Sequence, residues 1–219
     1  MSCEPFPGIV SSVVAQERTR RHLGQRVNVF IGDKFSFALD IALAERYGLR
    51  PGFAIDAKLL NTLLREDGDA RAYAKALHFL SYRLRTRREI EQRLQRDEWP
   101  TQVIERVLQR LQNEGAVNDE NFAAVWVETR SLSRPRGARA LQYELRSKGV
   151  ATESIAQSLP DAEQEIENAL EALRRKEREF ARFDDKTRHE KMLGFLQRRG
   201  FNFSTARAAL KRLDEDEAQ

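Results

Sequence analysis

The sequence has few of the residues that build redox and metal sites. Its 219 residues include one cysteine, Cys3, and three histidines, His22, His78 and His189. A single cysteine excludes an intramolecular disulfide, and Cys3 is expected to lie in a frayed terminus. The histidines are far apart, and none has a metal-ligand spacing such as HExxH. We therefore predict no metal site, and we expect His78, which apolar residues flank on a helix, to be packed or half-exposed.

Long hydrophobic runs are also missing. No apolar run approaches the length of a membrane span, and the N-terminus has no apolar core of a signal peptide. The sequence therefore predicts a cytoplasmic protein with no membrane partner.

Catalytic motifs are absent as well. There is no Walker-type glycine loop, no GxSxG and no Cys/His cluster. Acidic pairs such as Asp97-Glu98 and Asp184-Asp185 fall at predicted turns, where helix capping explains them. We predict a protein that is not an enzyme and that has no cofactor and no small-molecule substrate. An enzyme acting on nucleic acid stays an alternative, which a metal-dependent nuclease activity would support.

Charge is abundant. Charged residues make up 33% of the chain and hydrophobic residues 41%, with a net charge of +4. This composition favours amphipathic helices with wide solvated faces over one deep core. Acidic residues concentrate at 163–167 and 214–217, so the remaining chain is more basic than the net charge indicates. Such a chain suits a polyanion or an acidic protein groove as its partner.

The chain contains an internal repeat of 51 residues. Leu94, Leu145 and Leu196 recur at this interval. The same interval relates the apolar positions four residues before each leucine and ten and fourteen residues after it, and it relates Trp99, Val150 and Phe201. Each unit reads as a helix, a break and another helix, and Trp99-Pro100 supplies the first break because proline cannot continue a helix. Glycines at 149 and 200 suit helix C-termini, whereas the first repeat has Glu98 there.

These patterns predict a mainly α protein. Tandem three-helix repeats would form an elongated, curved solenoid at 70–117, 118–160 and 161–219, the last with an acidic C-terminal tail. A small α+β module at 1–69 precedes them.

Within this module, period-two apolarity on both sides of Gly32-Asp33 predicts a β-hairpin, and residues 9–15 a third strand. Residues 39–47 read as a helix, Asp56 is a candidate N-cap for another, and residues 65–69 read as a linker to the repeats.

Basic residues recur beside the second helix of each repeat. In a solenoid, equivalent positions lie along one side, so these clusters would form one basic stripe that binds phosphates or acidic side chains. The alternative is that the arginine stems only cover apolar surface. The predicted stripe consists of Arg83, Arg85, Arg87 and Arg88 in repeat one, Arg134, Arg136 and Arg139 in repeat two, and Lys186, Arg188 and Lys191 in repeat three.

Four aromatic residues admit two interpretations. Trp99, Phe122, Trp126 and Phe201 could stack on nucleic-acid bases. Their recurring helical positions favour the hydrophobic core instead.

Four segments have a distinctive order and spacing: ALHFLSYRLRTRREIEQRL (76–94), VIERVLQRLQNEGAVNDENFAAVWVETR (103–130), RGARALQYELRSKGV (136–150) and EKMLGFLQRRGFNFS (190–204). Together they resemble the RecX family of recombination regulators. Residues 26–29, the Gly32-Asp33 turn and YGLRPG (47–52) resemble the N-terminal extension of longer members. Asp97-Glu98 stands where the family usually has Lys-Gly.

This resemblance implies a non-enzymatic regulator of RecA. Family members bind along the groove of the RecA–single-stranded DNA filament and reduce its ATP hydrolysis and strand exchange, and many bind single- or double-stranded DNA. From charge alone, we select Arg85, Arg88, Arg136 and Arg139 as contacts. Because no heptad seam or apolar patch stands out, we expect a monomer.

A second hypothesis is a stand-alone nucleic-acid-binding regulator that uses helix-turn-helix-like repeats. It predicts tight, salt-sensitive DNA binding without RecA. No helix carries an evident set of base-reading residues, which disfavours it.

Overall fold

A computed structural model describes residues 4–16 and 25–217, and Cys3 and His22 lie outside the described residues. This part of the chain contains four β-strands and eleven α-helices. The mainly α fold with a small N-terminal β module is therefore confirmed.

The N-terminal module is built on one antiparallel sheet in the strand order β3-β2-β1-β4. Gly32 and Asp33 both have left-handed backbone geometry, with φ of 51° and 61°, which closes a tight turn between β2 and β3. The predicted hairpin and third strand are confirmed. The sequence did not predict β4, because two residues are too few to show a period-two pattern. The strands are β1 (Gly8–Ala15), β2 (Arg26–Ile31), β3 (Lys34–Asp40) and β4 (Ala54–Ile55).

Two helices follow the strands of this module. Helix α1 (Ile41–Arg46) comes directly after β3. Helix α2 (Ala57–Leu80) begins at the predicted N-cap, where the side chain of Asp56 accepts a hydrogen bond of 2.7 Å from the backbone N–H of Leu59.

The predicted linker at 65–69 is wrong, since these residues lie in the middle of α2. Asp67 is buried and accepts two hydrogen bonds, of 2.9 and 3.0 Å, from the guanidinium of Arg26 on β2. It also accepts one of 2.9 Å from the backbone N–H of Asp40. Asp69 is paired with Arg106 at 2.7 Å. The charges that indicated a solvated linker are therefore tertiary partners, and α2 joins the sheet to the first repeat.

Nine further helices complete the described chain. Three-helix repeats are confirmed, although the third contains a short additional helix, α9. Helix α5 continues through Ser133, and α10 begins at Asp185. The helices are α3 (Arg87–Arg96), α4 (Thr101–Asn113), α5 (Asp119–Ser133), α6 (Ala138–Ser147), α7 (Thr152–Ser158), α8 (Ala162–Arg174), α9 (Glu177–Phe180), α10 (Asp185–Arg198) and α11 (Phe203–Glu217).

The chain divides into two compact units. The first comprises Met1–Arg83 and Ile90–Asn113, and the second comprises Leu84–Glu89 and Glu114–Gln219. Among the described residues, the N-terminal module and the second and third repeats each have an apolar core. The core of the N-terminal module includes Val29, Leu39 and Leu63; that of the second repeat includes Phe122, Leu141 and Leu145; that of the third includes Leu173, Leu196 and Phe201.

The middle helices α3, α6 and α10 end in the same hydrogen-bond pattern. The N–H groups of Trp99, Val150 and Phe201 donate to the carbonyls of Leu94, Leu145 and Leu196 at 3.1–3.2 Å. In each case the residue before the donor has a left-handed φ. This is the Schellman motif, which satisfies the last carbonyls of a helix. The three leucines are fully buried, so the 51-residue register is also the register of the core.

Glu98 occupies the left-handed position that glycine fills in the other two repeats. Its φ is 60°, compared with 84° for Gly149 and 89° for Gly200. A side chain in this geometry brings Cβ close to the following carbonyl oxygen, at a cost of roughly 1–2 kcal/mol. The first repeat therefore keeps the turn geometry and carries local strain.

We expect Glu98→Gly to stabilise the protein by about 1 kcal/mol, because glycine takes this geometry without strain. Thermal unfolding of the full chain should show a melting temperature about 2–4 °C higher. The control is Glu105→Gly, at an exposed position in the middle of α4, which should lower stability by about 1 kcal/mol. A melting temperature for Glu98→Gly below that of the unaltered protein would contradict backbone strain at Glu98.

Candidate functional site

The first joint between repeats lies where the N-terminus of α3 meets the C-terminal end of α6. The buried hydroxyl of Thr86 donates a hydrogen bond of 2.8 Å to the carbonyl of Lys148. Thr86 and Glu89 also bond each other's backbone N–H groups at 3.2 and 3.3 Å, which is a capping box. Lys148 Nζ donates to Glu89 at 2.9 Å. The positive end of one helix dipole therefore meets the negative end of another.

The second joint repeats the first one 51 residues later. The N–H of Gly137, which corresponds to Thr86, donates 3.1 Å to the carbonyl of Arg199, which corresponds to Lys148. A Cβ on Gly137 would lie 2.2 Å from the nitrogen of Phe201 and 2.3 Å from the carbonyl atoms of Gly200. Backbone therefore packs directly on backbone, and only glycine fits.

A carboxylate from α8 supplies the cap that Gly137 lacks. Glu165 is buried and accepts a hydrogen bond of 2.8 Å from the backbone N–H of Ala138. Its other oxygen accepts one of 3.1 Å from the hydroxyl of Thr205 on α11. The first turn of α6 is thus fixed by the third repeat.

The ten predicted basic residues differ in exposure. Their common function has no direct test in the structure, so the stripe stays a prediction. Six side chains are exposed: Arg83, Arg88, Arg134, Arg139, Lys186 and Lys191. Four are half-buried: Arg85, Arg87, Arg136 and Arg188.

Arg136 is held inside a network around Glu144. The carboxylate of Glu144 accepts hydrogen bonds from Trp126 Nε1 at 2.8 Å and Arg130 Nε at 3.1 Å, and it pairs with Arg136. Because this negative charge is already shared between two guanidiniums, Arg136 is partly neutralised. By contrast, Arg88, Arg134 and Arg139 have no carboxylate partner among the described residues.

Sequence reasoning missed Arg199 as a member of the basic cluster in repeat two. Burial, with the nearby charges of Arg136 and Arg134, lowers the pKa of the half-buried Arg199 guanidinium. Its side chain has no carboxylate partner within the described ranges and lies 5.0 Å from the ring of Phe195. The 51-residue register carried the signal, since Lys148 and Arg199 are equivalent and both basic.

Comparison with known proteins identifies the family. Models of the first, second and third three-helix domains of RecX match residues 72–111, 118–159 and 163–210. The regulatory protein RecX of Bacillus subtilis (strain 168) is 30% identical over 201 residues, covering 90% of this chain and 75% of that protein. Regulatory protein RecX of Bacillus cytotoxicus is 27% identical over 214 residues, covering 95% and 78%.

The chain belongs to the RecX family.

Two solved structures share its fold. A crystal structure of regulatory protein RecX has a TM-score of 0.73 and 24% identity, and the match covers 93% of this chain and 99% of that one. RecX from Lactobacillus salivarius has a TM-score of 0.63 and 22% identity, with coverage of 68% and 98%.

The four predicted aromatic residues divide into core and partly exposed positions. Phe122 and Phe201 are buried, as the core interpretation expects. Trp126 is half-buried. Its ring stacks on that of Phe122 at a centroid distance of 5.7 Å, and the guanidinium carbon of Arg130 lies 4.4 Å from its centroid. Trp99 is half-buried with Arg71 at 5.3 Å. The two tryptophan rings therefore make cation–π contacts with arginines of this RecX-family chain itself.

The prediction for His78 is wrong, because its side chain is exposed. Its Nε2 lies 3.1 Å from the hydroxyl of Tyr82, one turn later on the chain. The apolar neighbours in sequence point to other sides of α2, which a period of 3.6 residues explains.

The part of the chain that the structure describes contains neither a metal-binding cluster nor a membrane-spanning helix. Among residues 4–16 and 25–217, no group of three or more His, Cys, Asp and Glu side chains is placed to hold a metal ion. No helix in the same ranges is long and apolar enough to cross a membrane.

Substituting Gly137 tests the second joint of this RecX-family protein. We expect Gly137→Ala to destabilise the chain by about 3 kcal/mol, because the added methyl overlaps backbone that cannot move independently. Gly194→Ala, inside α10, is the matched control, and we expect it to be neutral or stabilising by up to about 1 kcal/mol. Chemical denaturation measures both, and equal stabilities would contradict the close packing.

His189, beside the basic residues of repeat three, supplies a pH-dependent charge. Its Nε2 lies 3.0 Å from Asp214 on α11, and its Nδ1 lies 3.1 Å from the carbonyl of Asp185. The hydrogen bond to Asp214, then that to Asp185, raises the pKa of His189, and burial and Arg188 oppose this only in part.

Because the folded pKa is raised, the stabilisation from protonated His189 is fully present below pH ~6.5 and is lost as the pH rises through the folded pKa. We expect Asp214→Asn to lower the pKa of His189, measured by NMR titration of its ring protons. Asp216→Asn, which removes the partner of Arg174 instead, should leave it unchanged. The same His189 pKa in both variants would contradict the pairing.

Proposed function

We propose that this protein regulates the RecA recombinase. It binds the RecA–single-stranded DNA filament and inhibits its ATP hydrolysis and strand exchange, which modulates recombinational DNA repair and the SOS response. Membership of the RecX family supports the regulatory part of this proposal. RecA as the partner follows from what is known of the family.

The single observation that carries the proposal furthest is the pair of equivalent joints. Each joint places a basic turn of one repeat beside a basic residue at the end of the next repeat's middle helix. Arg88, Arg134 and Arg139 are exposed there and have no carboxylate partner among the described residues. Unpaired guanidiniums suit phosphate oxygens and carboxylates equally, and both are present on a nucleoprotein filament.

Several weak contacts are sufficient for such binding. When repeats on one chain engage neighbouring protomers, each later contact forms within the same complex, so the affinities combine. We further propose that the units at 1–69, 70–117, 118–160 and 161–219 act together in a cytoplasmic monomer, where RecA and DNA are available.

The test is RecA ATP hydrolysis on single-stranded DNA with this protein titrated in. We expect inhibition well below one molecule per RecA, since each molecule acts on a filament. The triple variant Arg88→Glu/Arg134→Glu/Arg139→Glu should raise the half-inhibitory concentration at least about tenfold, because reversed charges repel the same anions.

The matched control reverses three other exposed cations, Lys58, Arg207 and Lys211, so that the net charge is identical. It should inhibit like the unaltered protein. Equal inhibition by both triple variants would remove these arginines from the interface. Tight DNA binding without any effect on RecA would favour the stand-alone nucleic-acid-binding regulator.

A further inference from the structure

Helix α6 exposes an aromatic ring between two arginines. Arg139, Tyr143 and Arg146 are four and three residues apart, so they share one face of the helix. The opposite face carries the fully buried Leu141 and Leu145. Tyr143 is 77% exposed, the highest value among the large hydrophobic side chains of the described chain.

Further cations lie at both ends of this helix. Arg134 and Arg199 are at the N-terminal end, where the Gly137–Arg199 hydrogen bond of 3.1 Å joins the third repeat to α6. Arg88 is at the C-terminal end, where its side chain packs on Gly149. A Cβ on this glycine would lie only 2.5 Å from the Cδ of Arg88. None of these three has a carboxylate partner among residues 4–16 and 25–217. The nearby carboxylates Glu144 and Glu89 are already bound by other cations.

We propose that α6 is a binding track for single-stranded nucleic acid. Arg134, Arg199 and Arg88 contact phosphates at the two ends of the helix, and Arg139 and Arg146 contact those between. Tyr143 stacks on a base. The ten residues of α6 span about 15 Å, which is enough for several nucleotides. This inference names the nucleic-acid part of the filament in the proposed function as the ligand of this surface.

Tyr143 is the reason to prefer nucleic acid over an acidic protein surface. Arginines alone satisfy carboxylates, so an acidic surface does not require a ring between them. Bases of every type present a π-face, and cationic grooves with exposed aromatic side chains are the usual way to hold single strands without sequence preference. The ring stands free in this part of the protein, since no aromatic or cation contact with another described residue involves it.

The experiment measures binding of the full chain to a labelled oligothymidine, without RecA, over a range of salt concentrations. Loss of one stacked base should weaken binding about tenfold in Tyr143→Ala and leave the salt dependence unchanged. Tyr143→Phe should bind like the unaltered protein, because it keeps the ring. Arg146→Gln should weaken binding and reduce the slope of log K against log salt by about 0.7.

Helix α11 offers matched controls, since Phe203 is 53% exposed with Arg207 at 5.8 Å from its ring. Phe203→Ala and Arg207→Gln should bind the oligonucleotide like the unaltered protein. Inorganic polyphosphate serves as a second probe, and Tyr143→Ala should bind it normally because it has no bases.

Two results would overturn the track. One is oligothymidine binding by Tyr143→Ala that equals that of the unaltered protein. The other is equally tight binding of polyglutamate that Arg146→Gln weakens to the same degree, which would assign the surface to an acidic protein. The oligothymidine experiment contains no RecA. Its result therefore tests the track separately from the proposed inhibition of RecA.

Discussion

The ends of the middle helices constrain the rest of the repeat region. Each of these helices finishes with a left-handed residue that turns the chain, and the following residue donates back to a buried leucine. At the second joint this turn packs against Gly137 so closely that a Cβ would overlap three backbone atoms. At the first joint Thr86 occupies the corresponding position, and its hydroxyl replaces the backbone donor. The two joints therefore have one geometry and two chemical solutions.

This geometry also determines where positive charge accumulates. A basic turn precedes each middle helix, and a basic residue ends the middle helix of the following repeat. Each joint therefore brings a basic turn and a basic residue together. At the first joint Glu89 neutralises Lys148. At the second joint, Ala140 stands where Glu89 stands in repeat one, and Arg199 is left beside two other arginines. Like charges in proximity destabilise the folded state, and an anionic partner that binds there relieves the repulsion. A cluster of this kind is typical of a binding surface.

Much of this architecture is visible in the sequence, because a 51-residue recurrence of leucines reports the core directly. The hairpin and the Asp56 cap follow from local chemistry, and both are present. The predicted linker at 65–69 is wrong because the charged side chains there pair with tertiary partners and are not solvated. Asp67 is buried by a partner on β2, 41 residues earlier, and no local pattern reports such a pairing. The neighbours of Arg199 come from a different repeat, so only its equivalence to Lys148 in the 51-residue register indicates its position. The helical pattern places Tyr143 opposite the buried leucines of α6, but nothing else in the sequence marks it as a binding residue.

Hydroxyl-radical footprinting would show whether the exposed face of α6 meets the RecA–single-stranded DNA filament, as we propose. Tyrosine and phenylalanine rings are both oxidised in proportion to their exposure, so Tyr143 and Phe203 are a probe and a reference on one chain. We expect oxidation of Tyr143 to fall when the protein is bound to the filament, whereas oxidation of Phe203 should stay the same. Oxidation of Tyr143 at the rate of the free protein, in a sample where binding is complete, would contradict it.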